Sequence, residues 1–204
     1  MDDKELIRKI AEKDHLAFTR LIDRFQTLVL NTCFNFLNNR QNAEDVAQEV
    51  FLQVYRSAGK FRHQCRVSTW IYRITVNRCL NFIRDNRRFR WLDSLSRALE
   101  GEHRRRQAVW SSSADDPESA LRENETRTLI QKAVASLPEK QKTMFILNKY
   151  EGRSYQEIAE ILDISLSSVE AGLHRAKGNL QKSLALHFKK IEGGRKFQRQ
   201  SRVK

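Results

Sequence analysis

The side chains with the most evident binding chemistry lie between Ser154 and Leu180. Seven residues recur on one side of a predicted helix, and all of them except Ala171 carry a hydroxyl, carboxylate, imidazole or cationic group: Ser167, Ser168, Glu170, Ala171, His174, Arg175 and Lys177. Hydroxyl and cationic groups contact phosphates, and polar side chains on a helix read base edges in a major groove. The pattern favours DNA binding, although the solvated face of an ordinary helical hairpin has the same polarity.

Two predicted helices must hold these groups in place. Ser154 and Glu157 form an S-x-x-E capping box at the start of the first helix. The segment from Asp163 to Ser165 interrupts the apolar spacing, and Ser165 can cap the second helix. The residues predicted to point inward from the second helix are Val169, Leu173, Ala176 and Leu180. A short helix, a tight turn and a longer helix with a polar outer face predict a helix-turn-helix.

A second group of side chains combines cations, amides and aromatic rings. It lies in TWIYRITVNRCLNFIRDNRR, a predicted helix that opens at Ser68 or Thr69. Its basic and amide stripe comprises Arg73, Asn77, Arg78, Asn81, Arg84, Arg87 and Arg88, with Trp70, Tyr72 and Phe82 interleaved. Arginines beside aromatic rings suit single-stranded nucleic acid, because phosphates meet the cations and unstacked bases meet the rings. Trp70 fits a core position equally well.

An acidic helix precedes this basic one. The segment NAEDVAQEVFLQVYRSAG is predicted to begin at Asn42 and to end at Gly59. Its outer face carries Glu44, Asp45, Gln48, Glu49 and Gln53, and its apolar side carries Val46, Ala47, Val50, Phe51 and Val54. The outer face suits docking of a basic protein partner. It equally suits plain solvation, since the macrodipole favours carboxylates early in a helix.

Charge and composition favour a polyanionic partner. Lys and Arg total 38 against 25 Asp and Glu, a formal net charge of +13. Nucleic acid and an anionic membrane surface both fit this excess, but no apolar run approaches the ~20 residues that span a bilayer. The opening MDDKELIRKI is charged and helical rather than a signal peptide. We therefore expect a cytoplasmic protein with no membrane contact of its own.

Residues for catalysis or metal binding are not evident. Cys33, Cys65 and Cys79 form no CxxC pair, which predicts reduced thiols and no zinc site. The five histidines are scattered, and the chain contains neither a phosphate-binding glycine loop nor an HExxH sequence. We expect no catalytic residue, no metal and no cofactor, and therefore a protein that is not an enzyme.

Seven glycines and two prolines in 204 residues predict an all-α chain. We expect two small helical domains, at residues 1–88 and 117–188, a flexible linker at 89–116 and a disordered basic tail at 189–204. Helices are expected to open at Asp14, Pro117 and Pro138. In the helix after Pro138 the residues expected to be buried are Met144, Phe145, Leu147 and Tyr150.

Three segments in series resemble the bacterial sigma-70 superfamily, in its small two-domain extracytoplasmic-function (ECF) group. They are NAEDVAQEVFLQVYR, FRHQCRVSTWIYRITVNRCLNFIRDNRR and SLPEKQKTMFILNKYEGRSYQEIAEILDISLSSVEAGLHRAKGNL. They cover most of both predicted domains. The resemblance implies a sigma domain 2-like helical bundle and a domain 4-like helix-turn-helix. It also implies a protein that binds core RNA polymerase and directs it to promoters.

Each segment has a role by this resemblance. The acidic helix would dock on the clamp helices of the β′ subunit through Asp45, Gln48, Glu49 and Phe51. The loop and basic helix would capture a flipped base and the melted strand of the −10 element through Arg62, His63, Gln64, Arg66, Ser68, Trp70, Arg73, Asn77, Asn81 and Arg84. The helix-turn-helix at residues 154–177 would read the −35 element as duplex through the seven outward side chains, and would touch the β flap. An anti-sigma factor is a further implied partner.

Two residues of the recognition helix depart from what many relatives carry. Glu170 accepts from a cytosine amino group but repels phosphate. Gly172, assigned to the outward face, weakens a helix. The resemblance therefore does not imply a particular −35 sequence for this chain. The alternative function is a stand-alone helix-turn-helix transcriptional regulator, and the acidic helix argues against it because such a regulator has no need of a docking face.

Overall fold

The structure, a computed structural model, describes residues 1–100 and 128–200, with side-chain surroundings for 1–87 and 128–185. Every regular element within these ranges is a helix, so the prediction of an all-α fold is confirmed. None of the helices in the described ranges has the length and apolarity that crossing a bilayer requires.

The amino-terminal half is a bundle around one long helix. The elements are α1 (Asp3–Ala11), α2 (His15–Leu37), α3 (Arg40–Ser57), a 3-10 turn (Ala58–Lys60) and α4 (Val67–Glu100). Helix α2 packs against α1, α3 and α4. The core between them includes Leu6, Ile10, Leu21, Val29, Val50 and Ile71, each of which is almost fully buried. Asp14 caps α2 as predicted, since its carboxylate accepts from the Ala17 amide at 3.0 Å.

Helix α3 begins two residues earlier than its sequence predicts. The side chain of Asn39, not that of Asn42, is the cap, because Asn39 Oδ1 accepts from the Asn42 amide at 2.9 Å. Asn38 ends α2 in the left-handed region, with φ of 50°. In a run of several asparagines only the backbone shows which residue turns the chain and which one caps. At its other end α3 stops at Ser57, and Gly59, the predicted end of the helix, lies in the 3-10 turn that follows.

The carboxyl-terminal half contains α5 (residues 128–135), α6 (Glu139–Lys149), α7 (Tyr155–Leu162) and α8 (Leu166–Gln200). Met144 and Leu147 of α6 are buried as predicted, and Ile146 is buried as well. The predicted burial of Tyr150 is wrong, because α6 ends at Lys149 and the tyrosine, 45% exposed, lies beyond its last turn. Phe145 is half-buried.

Two helices run past the boundaries that the sequence predicts. Helix α4 continues to Glu100, although a linker is predicted from 89, and α8 continues to Gln200, inside the predicted tail. The cause is that a nucleated helix gains one hydrogen bond for each added residue, even without a buried face. The helix predicted at Pro117, and the rest of the linker and tail, lie outside the described residues. The domain boundaries stay predictions.

The two halves pack directly on each other. Helix α7 lies against α4, and α6 lies against α2. Apolar residues of α6, α7 and α8 belong to the same continuous core cluster as those of α1 to α4. Nothing in the sequence indicates this contact, because the residues that meet are about half the chain apart.

Candidate nucleic-acid interface

The helix-turn-helix is fixed by the two caps that its sequence predicts. Ser154 Oγ accepts from the Glu157 amide at 3.2 Å, and the Glu157 carboxylate accepts from the Ser154 amide at 2.8 Å. This backbone hydrogen bond, more than any other contact, lowers the pKa of Glu157. Asp163 turns the chain in the left-handed region at φ 55°, and Ser165 Oγ accepts from the Ser168 amide at 3.3 Å to begin α8. The capping box is confirmed.

The predicted recognition face is open. All seven of its side chains are exposed: Ser167, Ser168, Glu170, Ala171, His174, Arg175 and Lys177. The inward residues Val169, Leu173, Ala176 and Leu180 are buried as predicted. Tyr155 at the start of α7 lines the same concave surface as Glu170, His174 and Arg175. Sequence reasoning missed Tyr155, because an aromatic residue after a cap is most simply assigned to the core.

Gly172 does not lie on the outward face, and that assignment is wrong. It is buried, and a Cβ atom at this position would overlap the Sδ atom of Met144. The glycine allows α8 to approach α6 closely. The helical spacing does predict this burial, since Gly172 falls three residues after Val169 and four before Ala176, on the inward face. Of the two unusual residues, only Glu170 can affect DNA binding directly.

Helix α4 carries the second polar surface, which we call the α4 stripe: Trp70, Arg73, Asn77, Asn81 and Arg84. These residues recur every three or four positions, so they share one face. Asn77, Asn81 and Arg84 are exposed, while Trp70 and Arg73 are half-buried. Arg84 donates to Asn81 Oδ1 at 3.2 Å, which orients both side chains.

Arg78, which the sequence assigns to the basic stripe of α4, contacts α3 instead. Its guanidinium donates to Gln53 Oε1 at 2.8 Å and lies 3.6 Å from the Glu49 carboxylate, both on α3. Arg78 therefore joins α4 to α3, and its role is structural.

The loop before α4 is anchored by Phe61. This ring is only 9% exposed, and its centroid lies 4.7 Å from that of His63 and 4.9 Å from that of Trp70. His63 has φ of 56°, in the left-handed region that non-glycine residues enter at a cost of about 1 kcal/mol or more. Packing on Phe61 holds this conformation. Arg62, His63, Gln64 and Arg66 are exposed, and Ser68 is half-buried.

The acidic face of α3 consists of Asp45, Gln48 and Glu49, all exposed. Phe51 lies on the apolar side of α3 as its spacing predicts, in the core and 9% exposed, and the polymerase contact that the resemblance implies for it stays a prediction. Leu52 is the apolar side chain that is exposed, at 51%. It lies seven residues after Asp45, which is the spacing that would have identified it.

Within the described ranges no cluster of three or more His, Cys, Asp or Glu side chains could hold a metal ion. The three cysteines are free. A hydrogen bond with Cys33, followed by burial, raises the pKa of the Cys79 thiol well above its usual range. A thiol held protonated in this way is a poor nucleophile and metal ligand.

Comparison with known proteins identifies the family. Residues 21–89 match the family Sigma-70 region 2, and residues 127–180 match Sigma-70, region 4. The RNA polymerase sigma-H factor of Pseudomonas aeruginosa is 30% identical over 187 residues, which cover 89% of this chain and 93% of the relative. This chain belongs to the sigma-70 family, in its ECF group. The ECF RNA polymerase sigma factor SigW of Bacillus subtilis is 32% identical over 183 residues, covering 89% of this chain and 96% of SigW.

Solved structures agree on the fold of this sigma-70 family chain. CnrH, solved in complex with the cytosolic domain of CnrY, superposes with a TM-score of 0.62 at 20% identity, covering 90% of this chain and 97% of CnrH. The sigma factor RpoE of Bartonella quintana, solved with the anti-sigma factor NepR, gives 0.58 at 18% identity, covering 82% and 96%. Sigma factors are transcription initiation factors, so the prediction that this chain is not an enzyme is confirmed.

Proposed function

We propose that this sigma factor binds core RNA polymerase through α3, captures the melted −10 strand with α4 and its preceding loop, and reads the −35 element with α8. The observation that carries the proposal is that one chain presents three separate polar surfaces, and that one of them differs in charge from the other two. An acidic face lies on α3, and two basic or mixed faces lie on α4 and α8. A protein that only bound DNA would have no use for the first.

The α3 face suits a basic protein surface. Asp45, Gln48 and Glu49 are exposed around Leu52, an arrangement that offers both charge complementarity and an apolar anchor. Glu49 is partly engaged by Arg78 within the chain, which leaves Asp45 as the carboxylate with no described ion pair. We assign this face to the clamp helices of the β′ subunit.

The α4 stripe suits a single strand. Trp70 offers part of an aromatic ring for base stacking, Arg73 and Arg84 offer charge, and the amides of Asn77 and Asn81 can bond base edges. The exposed loop from Arg62 to Arg66, held by Phe61, lies at the end of the stripe where an extruded base would be received.

The α8 face suits duplex DNA. Ser167 and Ser168 lie in the first turn of α8, and Arg175 and Lys177 follow on the same exposed face. In a helix-turn-helix such residues contact base edges and flanking phosphates. The β flap is the expected polymerase contact of this half.

Two further assignments follow from the same proposal. An anti-sigma factor is a partner of this chain, as NepR is of the RpoE of Bartonella quintana. The cytoplasm is the compartment, because promoters and core polymerase are there. Catalysis of RNA synthesis belongs to the polymerase, and this chain selects where it begins.

The test is transcription in vitro from genomic fragments, with core polymerase alone and with this chain added. We expect new, discrete start sites only in the mixture. Asp45→Lys should weaken core binding about tenfold or more, since it opposes like charges at the interface. Asp23→Lys is the matched control, because it makes the same charge change on an exposed position of α2. Equal loss in both variants, or no new start sites, would refute the proposal.

A further inference from the structure

The outer face of α3 continues past the acidic residues that the proposed function assigns to core polymerase. Asp45, Gln48, Leu52 and Tyr55 follow one another at intervals of three or four residues, so they lie along one side of the helix. We call these four residues the docking stripe. Asp45 and Gln48 are exposed, Leu52 is 51% exposed and Tyr55 is half-buried. The stripe therefore changes from acidic to aromatic over about 15 Å, at about 1.5 Å for each residue of the helix.

The Tyr55 ring is held by the turn between α1 and α2 and by the start of α2. Lys13 Nζ lies 4.8 Å from the ring centroid, which is a cation–π contact. The His15 ring stacks on Tyr55 at 6.1 Å with an interplanar angle of 13°, and the Phe18 ring packs on it at 5.0 Å. Lys13 and His15 are exposed, whereas Phe18 packs against the core. The stripe thus ends in an aromatic ring of fixed position next to an exposed cation.

Lys13 has a backbone conformation that lysine rarely adopts. Its φ is 70°, and its amide and that of Asp14 donate to the carbonyls of Ile10 and Lys9, each at 3.0 Å, where α1 ends. Glycine is the usual residue at such a left-handed helix end, because a Cβ atom disfavours the conformation. Residues held in such conformations cluster at functional sites. The lysine side chain lies on Tyr55, where a glycine would leave the ring uncovered.

The charge at this end of the docking stripe is positive. The two carboxylates beside Lys13 have partners of their own, since Glu12 lies 3.9 Å from an arginine of α1 and Asp14 caps α2. Arg56, which follows the last residue of the stripe, is exposed as well. Leu16, in the first turn of α2, adds apolar surface and is 75% exposed. The two ends of the stripe therefore carry opposite charge, with apolar side chains between them.

We infer that the docking stripe binds a helix of core polymerase with a matching charge gradient: basic opposite Asp45, apolar opposite Leu52 and acidic opposite Lys13. The inference rests on the proposed function in one respect, that α3 binds core polymerase. A helix fits because side chains at intervals of three and four residues on one helix pack between those of another. Opposite charges at the two ends also fix the direction of the partner helix, since the reversed orientation opposes like charges.

The test measures the affinity of full-length variants for core polymerase, by their competition with fluorescently labelled wild type. Asp45→Lys and Lys13→Glu change the charge in opposite directions at the two ends of the stripe. Lys4→Glu is the matched control for Lys13→Glu, because it makes the same change on an exposed position of α1. Lys13→Gly removes the side chain but suits the left-handed backbone, so it separates a role in binding from a role in folding. Urea denaturation measures stability, and size-exclusion chromatography with light scattering measures the oligomeric state.

We expect Asp45→Lys and Lys13→Glu each to weaken core binding about tenfold, although they change the net charge in opposite directions, while Lys4→Glu matches the wild type. Lys13→Gly should weaken binding about threefold without lowering the urea midpoint, because relief of the backbone conformation offsets the lost contact with Tyr55.

Equal weakening by Lys13→Glu and Lys4→Glu would overturn the inference, because net charge alone would then account for both. A loss of binding by Lys13→Gly that only follows a loss of stability would also overturn it. So would a wild-type dimer that Leu16→Ser separates, since a second copy would then cover this end of the stripe. Core binding that Asp45→Lys leaves unchanged refutes the proposed function and the inference together, whereas loss with Asp45→Lys but not with Lys13→Glu overturns the inference alone.

Discussion

Arg73 in α4 and Glu160 in α7 are joined by a hydrogen bond of 2.9 Å from the guanidinium Nε to the main-chain carbonyl. The residues are 87 positions apart in sequence. This contact places a cation of the proposed strand-binding stripe against the helix-turn-helix. Arg73 therefore already has an intramolecular partner in this structure, and under the proposed function it would have to leave that partner to contact a DNA strand.

The Tyr72 hydroxyl belongs to the same contact between the two halves, since it donates to Glu151 Oε2 at 3.2 Å. Burial, and then the Glu151 carboxylate, raise the pKa of Tyr72 to about 12. The folded chain holds this proton more tightly than the unfolded chain, so the stabilisation is complete below the unfolded value near 10 and is lost as pH rises towards 12. We expect an ultraviolet titration to show a late-ionising tyrosine, which Tyr72→Phe removes. Glu151→Gln should lower its pKa. A titration in which Tyr72→Phe removes no late step would contradict this contact.

Gly172 and Gly178 give a matched pair within α8. Gly178→Ala meets open space, so we expect it to raise the free energy of unfolding by about 0.5–1 kcal/mol through helix propensity. Gly172→Ala gains the same propensity but requires the end of the buried Met144 side chain to move, so we expect its net effect to fall about 1 kcal/mol below that of Gly178→Ala. Urea denaturation of both variants measures the difference. Equal stabilisation by the two substitutions would contradict a close contact at Gly172 that the Met144 side chain cannot relieve freely.

Trp70 is expected to serve both the core and the strand. It is half-buried against Phe61, so Trp70→Ala should lower the free energy of unfolding by about 1–3 kcal/mol, less than for a fully buried ring. It should also reduce opening of the −10 region more than binding of the −35 duplex. Asn77→Ala is the comparison, since its exposed side chain should affect strand opening alone. Thermal denaturation and permanganate reactivity separate the two effects. Normal opening by a folded Trp70→Ala holoenzyme would assign Trp70 to the core only.

Glu170 is expected to tune selectivity on α8. Glu170→Gln removes a carboxylate that repels phosphate, so binding to non-specific duplex should strengthen, while discrimination at one base pair of the −35 element should change by about 1–3 kcal/mol. Glu139→Gln is the control, because it makes the same change in charge away from the DNA face. Competition binding of the holoenzyme to duplexes with single substitutions is the measurement. Identical selectivity in the two variants would remove Glu170 from base reading.

Local features of the fold were predictable from sequence. The Ser154–Glu157 capping box, the break at Asp163 and the exposed face of α8 depend on residues within a few positions of one another, and all of them are confirmed. The outward placing of Gly172 was wrong, because it was assigned against its helical register.

The contact between the two halves was not predictable. Thr32, Asn35 and Tyr72 are ordinary residues of their own helices, and all three contact Glu151, the single carboxylate of the short loop between α6 and α7. Their partnership depends on the packing of helices whose contacting residues are 79 to 119 positions apart. Local spacing contains no information on such pairs, and a single sequence offers no other source.

Promoter opening by this chain is expected only together with core polymerase. The most direct measurement is permanganate reactivity of thymines on a promoter recovered by mapping transcription starts, with the chain alone, core alone and both. We predict reactivity near the start site in the mixture only, and its loss with Asp45→Lys but not with Asp23→Lys. Tight sequence-specific binding by the chain alone, with no opening in the mixture, would contradict the proposed function and favour a stand-alone regulator.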